Sequence, residues 1–415
     1  MRRSKKDTKG QLTPINVIGV SGSGVLDLSL KLQQKILSAK KIAGPKRLFK
    51  TLTNWWSSQN SQNPFPEFFP SDKPSELIKW LKKQNEKTIL FASGDPLWFG
   101  IGRVLLEHFS SSQIVFHPSP TSLQLAFSRI GRPWQDASCI SLHGREVKPL
   151  INLLQKRPNA IGILTDPGRG GAKEVREILK ATKLEEQYIF WVFENLGHKK
   201  ERFFKLSPSQ DLPKLDPLHL AILIRQKAVP EPSNDLPIFG IEDNFFLHHE
   251  DRPGLLTKRE VRIQILADLE LPDNGVIWDI GAGVGSIGLE ALRIRPKLKL
   301  LSIEKRLGGK ELIIANAKRL SVKPAKVIEG EAMEILKKGE FDQTISKPKR
   351  VILGGGNSDK AKILREILNY LSPKGIVVIP LARLEQLELV INILRQEGCE
   401  VRLSLSVNSR LIKSS

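Results

Sequence analysis

The stretch Trp278-Asp279-Ile280-Gly281-Ala282-Gly283-Val284-Gly285 decides how this chain is read. It follows the apolar run Val276-Ile277-Trp278 and precedes a helical pattern that opens at Ser286. Glycines at a strand-to-helix turn lack Cβ atoms, so the backbone can turn tightly and approach a nucleotide. Gly283-Val-Gly285-Ser-Ile-Gly288 also satisfies the dinucleotide pattern G-x-G-x-x-G, which is weak alone. Asp279 argues against that reading, because a pyrophosphate-binding turn has no use for an anion just before its first glycine. Its carboxylate is expected under the loop, holding it, or facing the ammonium of a bound amino-acid moiety.

A second acid supports a nucleoside ligand without a pyrophosphate. The run Lys299-Leu300-Leu301-Ser302-Ile303 predicts the next strand, and it ends at Glu304. That places a carboxylate roughly 20 residues past the glycine loop, where it can accept bonds from a ribose diol. A lone Glu in Glu304-Lys305-Arg306 is more simply a solvated residue; the glycine loop at the right distance reverses that judgement. An acid, a glycine loop and a second acid describe the nucleotide site of S-adenosylmethionine (SAM) methyltransferases.

Length and composition set the outer bounds. At 415 residues, two domains are the natural expectation. A hydrophobic content of 40% and a charged content of 26% are ordinary for globular proteins. Two cysteines, Cys139 and Cys399, lie far apart, which excludes a disulfide framework and a cysteine-rich metal site. No metal is expected, and a reducing, cytoplasmic setting fits. Apolar stretches such as Ile376-Val-Val-Ile-Pro-Leu-Ala382 are strand-length, far too short to span a bilayer. The net charge of +21 points first to nucleic acid. Yet Lys and Arg are scattered along the chain, and no aromatic-basic platform for stacking bases is present. A small polyanionic substrate would use the same field, and a general lysine bias is the bland alternative.

The chain divides into a basic tail (1–12), an α/β domain (13–226), a Pro-rich polar linker (227–238) and a second α/β domain (239–415). In the first domain, Ile15–Ile18, Thr88–Ala92, Gln113–Phe116 and Ala160–Leu164 read as strands ending in small or turn residues. Four such strands predict one parallel sheet with a ligand cleft at its carboxyl edge. Asn54 to Pro74 reads as a long polar loop carrying aromatics.

Several strings carry a family resemblance. The first domain resembles the tetrapyrrole methylases, in the subgroup acting late in corrin-ring synthesis. The matching strings are Val17-Ile-Gly-Val-Ser-Gly-Ser-Gly24, Ala92-Ser-Gly-Asp-Pro-Leu97, Pro118-Ser-Pro-Thr-Ser-Leu-Gln-Leu-Ala126, Gly131-Arg-Pro-Trp-Gln-Asp136, Ser141-Leu-His-Gly-Arg145 and Glu194-Asn-Leu-Gly197. The second resembles the partner methyltransferase of the same pathway, through Gly254-Leu-Leu-Thr-Lys-Arg-Glu-Val-Arg262, the Asp279–Gly285 loop, Ile303-Glu304, Gly330-Glu-Ala332 and Gly354-Gly-Gly356. The first glycine loop lacks the family's usual Gly-Pro pair, and Glu331 stands where Asp is frequent.

The resemblance implies an α/β chain: a tetrapyrrole methylase fold of two α/β subdomains around a cleft, then a Rossmann-like SAM methyltransferase. It implies two SAM sites. The first would be lined by Gly94, Asp95, Pro96, Thr121 and Ser122. The second would be built from Thr257, Asp279, Gly281, Ala282, Gly283, Val284, Gly285, Glu304, Glu331 and Ala332. The substrate would be a polycarboxylate tetrapyrrole, methylated at meso carbons 5 and 15 and decarboxylated on ring C. His143, Gly144 and Arg145 would border it in the first domain, and Gly354, Gly355 and Gly356 would open space in the second. Lys258, Arg259 and Arg262 are natural partners for its carboxylates, or else a solvated helix face. A homo-oligomer is expected, with neither nucleic acid nor membrane as partner. Positioning a methyl donor needs no dedicated acid or base. Two alternatives compete: a nucleic-acid methyltransferase, which would carry an Asn-Pro-Pro-Tyr-like motif where Leu353-Gly354-Gly355-Gly356 stands, and a non-catalytic SAM-binding fusion.

Overall fold

The computed structural model describes residues 14–59, 63–226, 236–339, 341–354, 359–381 and 384–406. The expected basic tail and nearly all of the expected linker lie outside these residues, as do Gly355 and Gly356. Tertiary contacts divide the chain into two compact units. The first holds the residues up to Arg145, Asn159–Arg176 and Tyr188–Ile224; the second holds Glu146–Pro158, Glu177–Gln187 and the residues from Arg225 on.

The first unit is built on two sheets. Strands β1 (Ile15–Val20), β2 (Lys41–Gly44), β3 (Glu67–Pro70), β4 (Thr88–Ser93) and β5 (Ile114–His117) form a parallel sheet in the order β3-β2-β4-β1-β5. Its strands are apolar on both faces, as a sheet covered on both sides requires. Ile18, Val20, Ile42 and Phe91 enter one core cluster, while Val17, Ala43, Leu90 and Ala92 enter another.

The second sheet contains β6 (Ala137–Ser141), β7 (Ala160–Leu164), β8 (Tyr188–Glu194), β9 (Arg202–Leu206) and β10 (His219–Arg225), in the order β6-β7-β10-β8-β9. It is mixed: β6 runs parallel to β7, whereas β10 is antiparallel to β7 and β9 to β8. The expectation of four strands in one parallel sheet is therefore corrected. Ile15–Val20, Thr88–Ser93 and Ile114–His117 share a sheet, but Ala160–Leu164 belongs to the other one. A short apolar run reveals a buried strand without revealing its neighbour.

The expected long loop from Asn54 to Pro74 is also corrected. A helix runs from Lys46 to Ser58 and β3 follows at Glu67. Trp55 and Trp56 are each 5% exposed and pack with Leu52 in the core, so apolar burial overrides the polar composition around them.

In the second unit, β11 (Gly275–Ile280), β12 (Leu298–Glu304), β13 (Lys326–Glu329), β14 (Arg350–Leu353) and β15 (Ile376–Val378) form a parallel sheet in the order β13-β12-β11-β14-β15. The chain starts in the middle, winds to one edge, then returns to the other side, as in doubly wound nucleotide-binding sheets. Alternation along β11 feeds two cores: Ile277 packs on one face, Trp278 and Ile280 on the other. Trp278 is fully buried, and its indole N–H donates to the Ile345 carbonyl at 2.8 Å. The switch of direction between β12 and β14 lies beside the carboxyl end of β11, where the glycine loop begins.

Candidate active sites

The glycine loop of the second unit is held from below by the two acids. Gly281, Gly283 and Gly285 adopt φ of 71°, 58° and 79°, a region that L-residues with a side chain rarely enter. A Cβ on Gly283 would lie 2.7 Å from the Leu255 carbonyl oxygen, so that position tolerates no side chain. The N–H groups of Gly281 and Ala282 both donate to the Ile303 carbonyl, at 2.9 and 3.1 Å, which ties the loop to β12. The helix Ser286–Ile294 then leaves the loop. Val284 is fully buried beneath it.

Asp279 is 2% exposed and lies under the loop, where its Oδ2 accepts the Gly288 N–H at 3.2 Å. Burial pushes its pKa up to about 7, against the Gly288 bond and helped by the charge of Glu304. Glu304, 7% exposed, accepts the Gly283 N–H at 2.7 Å on Oε2 and the Arg306 N–H at 2.9 Å on Oε1. An ionised carboxylate offers about four lone-pair sites, so two backbone bonds leave acceptor capacity for a diol. The donor set thus fits a nucleoside: open glycine backbone, and an acid at the end of the neighbouring strand.

The remaining expected residues divide. Ala332 opens the helix Ala332–Lys338, and Glu331 just before it is an exposed partner of Lys305 at 3.4 Å. Gly354 follows β14; its N–H donates to the Ile280 carbonyl, and a Cβ there would lie 3.3 Å from the Gly281 carbonyl oxygen. Thr257 is half-buried, and its carbonyl accepts a bond from Arg262. Arg262 itself is fully buried. Its guanidinium pairs with Glu290 at 2.8 Å and Asp243 at 2.7 Å, also donates to the Ile241 carbonyl, and lies 4.8 Å from the Phe246 ring centroid. Arg259 donates to the Gly240 carbonyl at 2.6 Å and pairs with Glu242 at 3.4 Å. The expectation that Arg262 meets substrate carboxylates is corrected, while Arg259, with a side chain 37% exposed, is held by Gly240 and Glu242. Both arginines fasten the segment before the sheet to the helix Arg259–Asp268, and neither a ligand contact nor a solvated face describes Arg262. Lys258 alone of the three is largely exposed, 3.7 Å from Asp243.

The first unit encloses a cleft of about 630 Å³ that draws on both of its sheets. Gly94, Thr121 and Ser122 line it, as do His143 and Arg145. Gly94 has φ of 61° and donates to the Val20 carbonyl at 2.9 Å. A Cβ on Gly19 would fall 1.9 Å from the Gly94 carbonyl oxygen, so the ends of β1 and β4 meet through bare backbone. Thr121 caps the helix Ser122–Arg129: its hydroxyl accepts the Gln124 N–H at 3.2 Å, and the Gln124 side chain returns a bond to the Thr121 N–H.

Asp95 and Pro96 shape the turn after β4. Asp95 Oδ1 accepts the Leu97 N–H at 2.9 Å, and the Pro96 carbonyl accepts the Gly102 N–H at 2.8 Å. Gly144, with φ of 63°, donates its N–H to Asp166 at 3.0 Å. That bond, with the Gly168 N–H and the charges of His143 and Arg169, holds the Asp166 carboxyl below its ordinary value against partial desolvation. Arg145 lies over the Phe99 ring, 5.5 Å from its centroid.

Sequence reading missed two residues that line this cleft. Arg47, on the helix Lys46–Ser58, reaches Ser93 at the end of β4 and donates to its hydroxyl. The polar-loop reading of the segment that starts at Asn54 drew attention away from that helix. His198 follows the Glu194-Asn-Leu-Gly197 string and also lines the cleft. Among the described residues that line it, the cationic side chains are Arg47 and Arg145, and none carries a carboxylate.

Comparison with known proteins matches both halves of the chain. The family of tetrapyrrole (corrin/porphyrin) methylases matches residues 14–210, and the precorrin methyltransferase domain matches residues 247–411. The chain belongs to the two-domain precorrin methyltransferases. A Sinorhizobium protein named precorrin-6Y C(5,15)-methyltransferase [decarboxylating] is 27% identical over 346 residues, covering 83% of this chain and 79% of the relative. A Mycobacterium tuberculosis protein of the same name is 25% identical over 361 residues, covering 82% of this chain and 80% of its own. A solved structure of precorrin-6y C5,15-methyltransferase from Geobacter metallireducens GS-15 is 28% identical, with a TM-score of 0.36, covering 40% of this chain and 83% of that one. The resemblance read from the motifs, the α/β fold class and the reading as a SAM-dependent methyltransferase are borne out. No helix among the described residues is long and apolar enough to cross a membrane.

Proposed function

We propose that the chain methylates a precorrin-6-type corrin precursor at meso carbons 5 and 15 and removes carbon dioxide from the ring C acetate chain. The first cleft acts at carbon 5, and the second unit acts at carbon 15 and in the decarboxylation. Each binds one SAM. The observation that carries this reading is the charge of the first cleft: arginines and histidines face it, no carboxylate does among its described residues, and its volume suits a small ligand. A macrocycle rich in acetate and propionate chains is the complementary substrate, and Arg47 and Arg145 can pair with those chains in a bidentate fashion.

When bound, SAM supplies a methyl group on an electrophilic sulfonium. In the second unit, Glu304 holds the ribose diol, the glycine backbone admits the methionine portion, and Ala332 flanks the base. Asp279 acts from beneath by bonding the helix that carries the loop. In the first unit, Gly94, Thr121 and Ser122 shape the cofactor side of the cleft. The chain's contribution is to orient the two reactants and exclude water, which can supply several kcal/mol of barrier lowering (about 7–11 in well-aligned systems). The conjugated macrocycle serves as electron sink for decarboxylation, so the protein has only to bury that carboxylate while pairing the others. Solubility and a cytoplasmic, homo-oligomeric state accompany this reading.

The test is incubation of the full chain with precorrin-6Y, its reduced form or its cobalt analogue, plus methyl-labelled SAM, followed by mass spectrometry. The expected product has gained two labelled methyl groups and lost one carbon dioxide. Label transfer to RNA or DNA with none to any tetrapyrrole would establish the competing nucleic-acid reading instead.

A further inference from the structure

Strand β14 leaves its sheet beside the glycine loop of the second unit. The exit is bare backbone: the Gly354 N–H donates to the Ile280 carbonyl at 2.9 Å, and a Cβ on Gly354 would lie 3.3 Å from the Gly281 carbonyl oxygen. The helix Lys360–Tyr370 follows. Because β14 runs parallel to β11, that helix starts at the carboxyl edge of the sheet, where doubly wound sheets bind their ligands.

The buried face of this helix runs through Lys360, Ile363, Leu364 and Ile367, the spacing of a single helical stripe. Its three apolar members pack into the core with Trp278, Ile280 and Leu353. The first position of the stripe is a lysine instead, and it is only 6% exposed. Burial pulls its pKa below the ordinary lysine value, and no carboxylate among the described residues offsets that loss. Burying a cation without an anionic partner is costly.

Lys360 also carries the wrong charge for its place. The amino end of a helix of 11 residues holds the positive end of the dipole, which favours anions. Asp359, at the capping position, makes no side-chain bond to the first turn and pairs with Lys362 at 3.5 Å. Helical side chains lean toward the amino end, and a buried lysine keeps its ammonium at the open end of its stem. Both habits carry the Lys360 ammonium toward the carboxyl edge, the side on which Gly354 and the glycine loop lie. A desolvated cation and a helix amino end thus meet there, and both call for an anion.

We propose that Lys360 and the amino end of its helix bind a carboxylate of the tetrapyrrole, holding carbon 15 toward the SAM methyl in the second unit. The inference rests on the reading that this unit methylates a polycarboxylate macrocycle. Strand order favours the macrocycle over the cofactor as the source of the carboxylate. Glu304 ends β12 on one side of β11, and Lys360 follows β14 on the other. A cofactor whose ribose is held at β12 and whose methionine crosses the glycine loop leaves the β14 side to the second reactant. The anchored carboxylate is one that the product keeps, because a cation stabilises the negative charge that decarboxylation removes.

The test uses the full chain with Lys360→Met and Lys360→Gln, both of which remove the charge. Neither should lower the urea midpoint, since each removes an unpaired, desolvated cation. The Michaelis constant for the tetrapyrrole in methylation at carbon 15 should rise roughly 10- to 100-fold, as expected for losing a hydrogen bond between charged groups. Turnover at saturating substrate should change little. SAM affinity by calorimetry and methylation at carbon 5 should match the wild type. An unchanged Michaelis constant in both variants would overturn the proposal. So would a loss of SAM affinity as large as the rise in Michaelis constant, which would assign the carboxylate to the methionine end of the cofactor. A lowered urea midpoint in both variants, with turnover and Michaelis constant impaired together, would make Lys360 a structural residue. A wild-type chain that methylates no tetrapyrrole at carbon 15 would remove the underlying reading, and this inference with it.

Discussion

The two candidate sites use charge in opposite ways. In the second unit the acids are the scaffold: Asp279 and Glu304 lie beneath the glycine loop, and Arg262 with Glu290 is buried behind it. In the first unit no carboxylate lines the cleft among the described residues, and arginines and histidines face it. One site is thus a preformed nucleotide loop within a single parallel sheet. The other is assembled from the ends of strands and turns in two sheets. The difference teaches that charge is buried as scaffold in one half and lies exposed along the cleft in the other.

The sharpest way to break this contrast is through the arginines. Arg262→Ala leaves Glu290 fully buried without its partner, which should cost about 3–5 kcal/mol of stability. Denaturant unfolding of the full chain, followed through Trp278, should show the second unit melting first. Arg145→Gln should leave the unfolding curve in place and weaken tetrapyrrole binding. If Arg262→Ala unfolds like the wild type and instead loses substrate, the buried network has been misjudged.

Next comes the second cofactor loop. Glu304→Ala removes a charge-assisted bond to Gly283 and the acceptor proposed for the ribose, worth about 1.5–3 kcal/mol, or roughly 10- to 100-fold in SAM affinity. Calorimetry on the full chain should show that loss in one class of sites only. Equal loss in both classes would mean that the sites are not independent.

Proton linkage acts in two opposite senses within the second unit. Asp279 titrates near 7 in the folded chain and near 3.8 when exposed, so the native state binds more protons between those values. The stability it confers is full below about pH 4 and is lost as pH rises through 7. Asp279→Asn should remove that term and make the pH slope of the urea midpoint more positive across this window. His249, 3% exposed, is pushed down to about 4 by burial. Its contribution runs the other way: present above 6.5 and lost as pH falls through 4, so His249→Phe should resist acid better. The two terms oppose each other over nearly the same window, so the variants carry the test: a pH slope of the midpoint that Asp279→Asn or His249→Phe leaves unchanged would contradict the assignment for that residue.

The smallest effect is expected at Lys258, an exposed cation that screening weakens. Lys258→Gln should raise the tetrapyrrole Michaelis constant modestly and reduce its salt dependence, with SAM binding little changed. Salt should weaken tetrapyrrole capture by the wild type in the same direction. A salt dependence unaltered by the substitution would remove Lys258 from the substrate path.

Much of the second unit was legible because its signals are local. The apolar run before Asp279, the glycine spacing and the strand ending at Glu304 all lie within one βαβ unit, and each depends on neighbours close in sequence. What failed was long-range. The partners of Arg262 stand 28 and 19 positions away, and nothing in Lys258-Arg259-Glu260-Val261-Arg262 announces them. Trp55 and Trp56 looked like loop aromatics because the surrounding Asn, Ser and Gln residues mask an amphipathic helix. Ala160–Leu164 read correctly as a strand, but its sheet and its antiparallel neighbour depend on β10, roughly sixty residues on. His198 escaped notice because it joins the cleft only through the fold, in a turn far in sequence from the loops it meets there.

The central claim is that one chain carries two separately built SAM sites. The direct measurement is the binding stoichiometry of SAM to the full chain by titration calorimetry, with the active fraction fixed by an independent protein assay. The account predicts two SAM per chain, falling to one measurable site in Glu304→Ala at concentrations that leave the first cleft saturable. A stoichiometry of one in the wild type, abolished by Glu304→Ala, would contradict it and leave the first cleft without a cofactor.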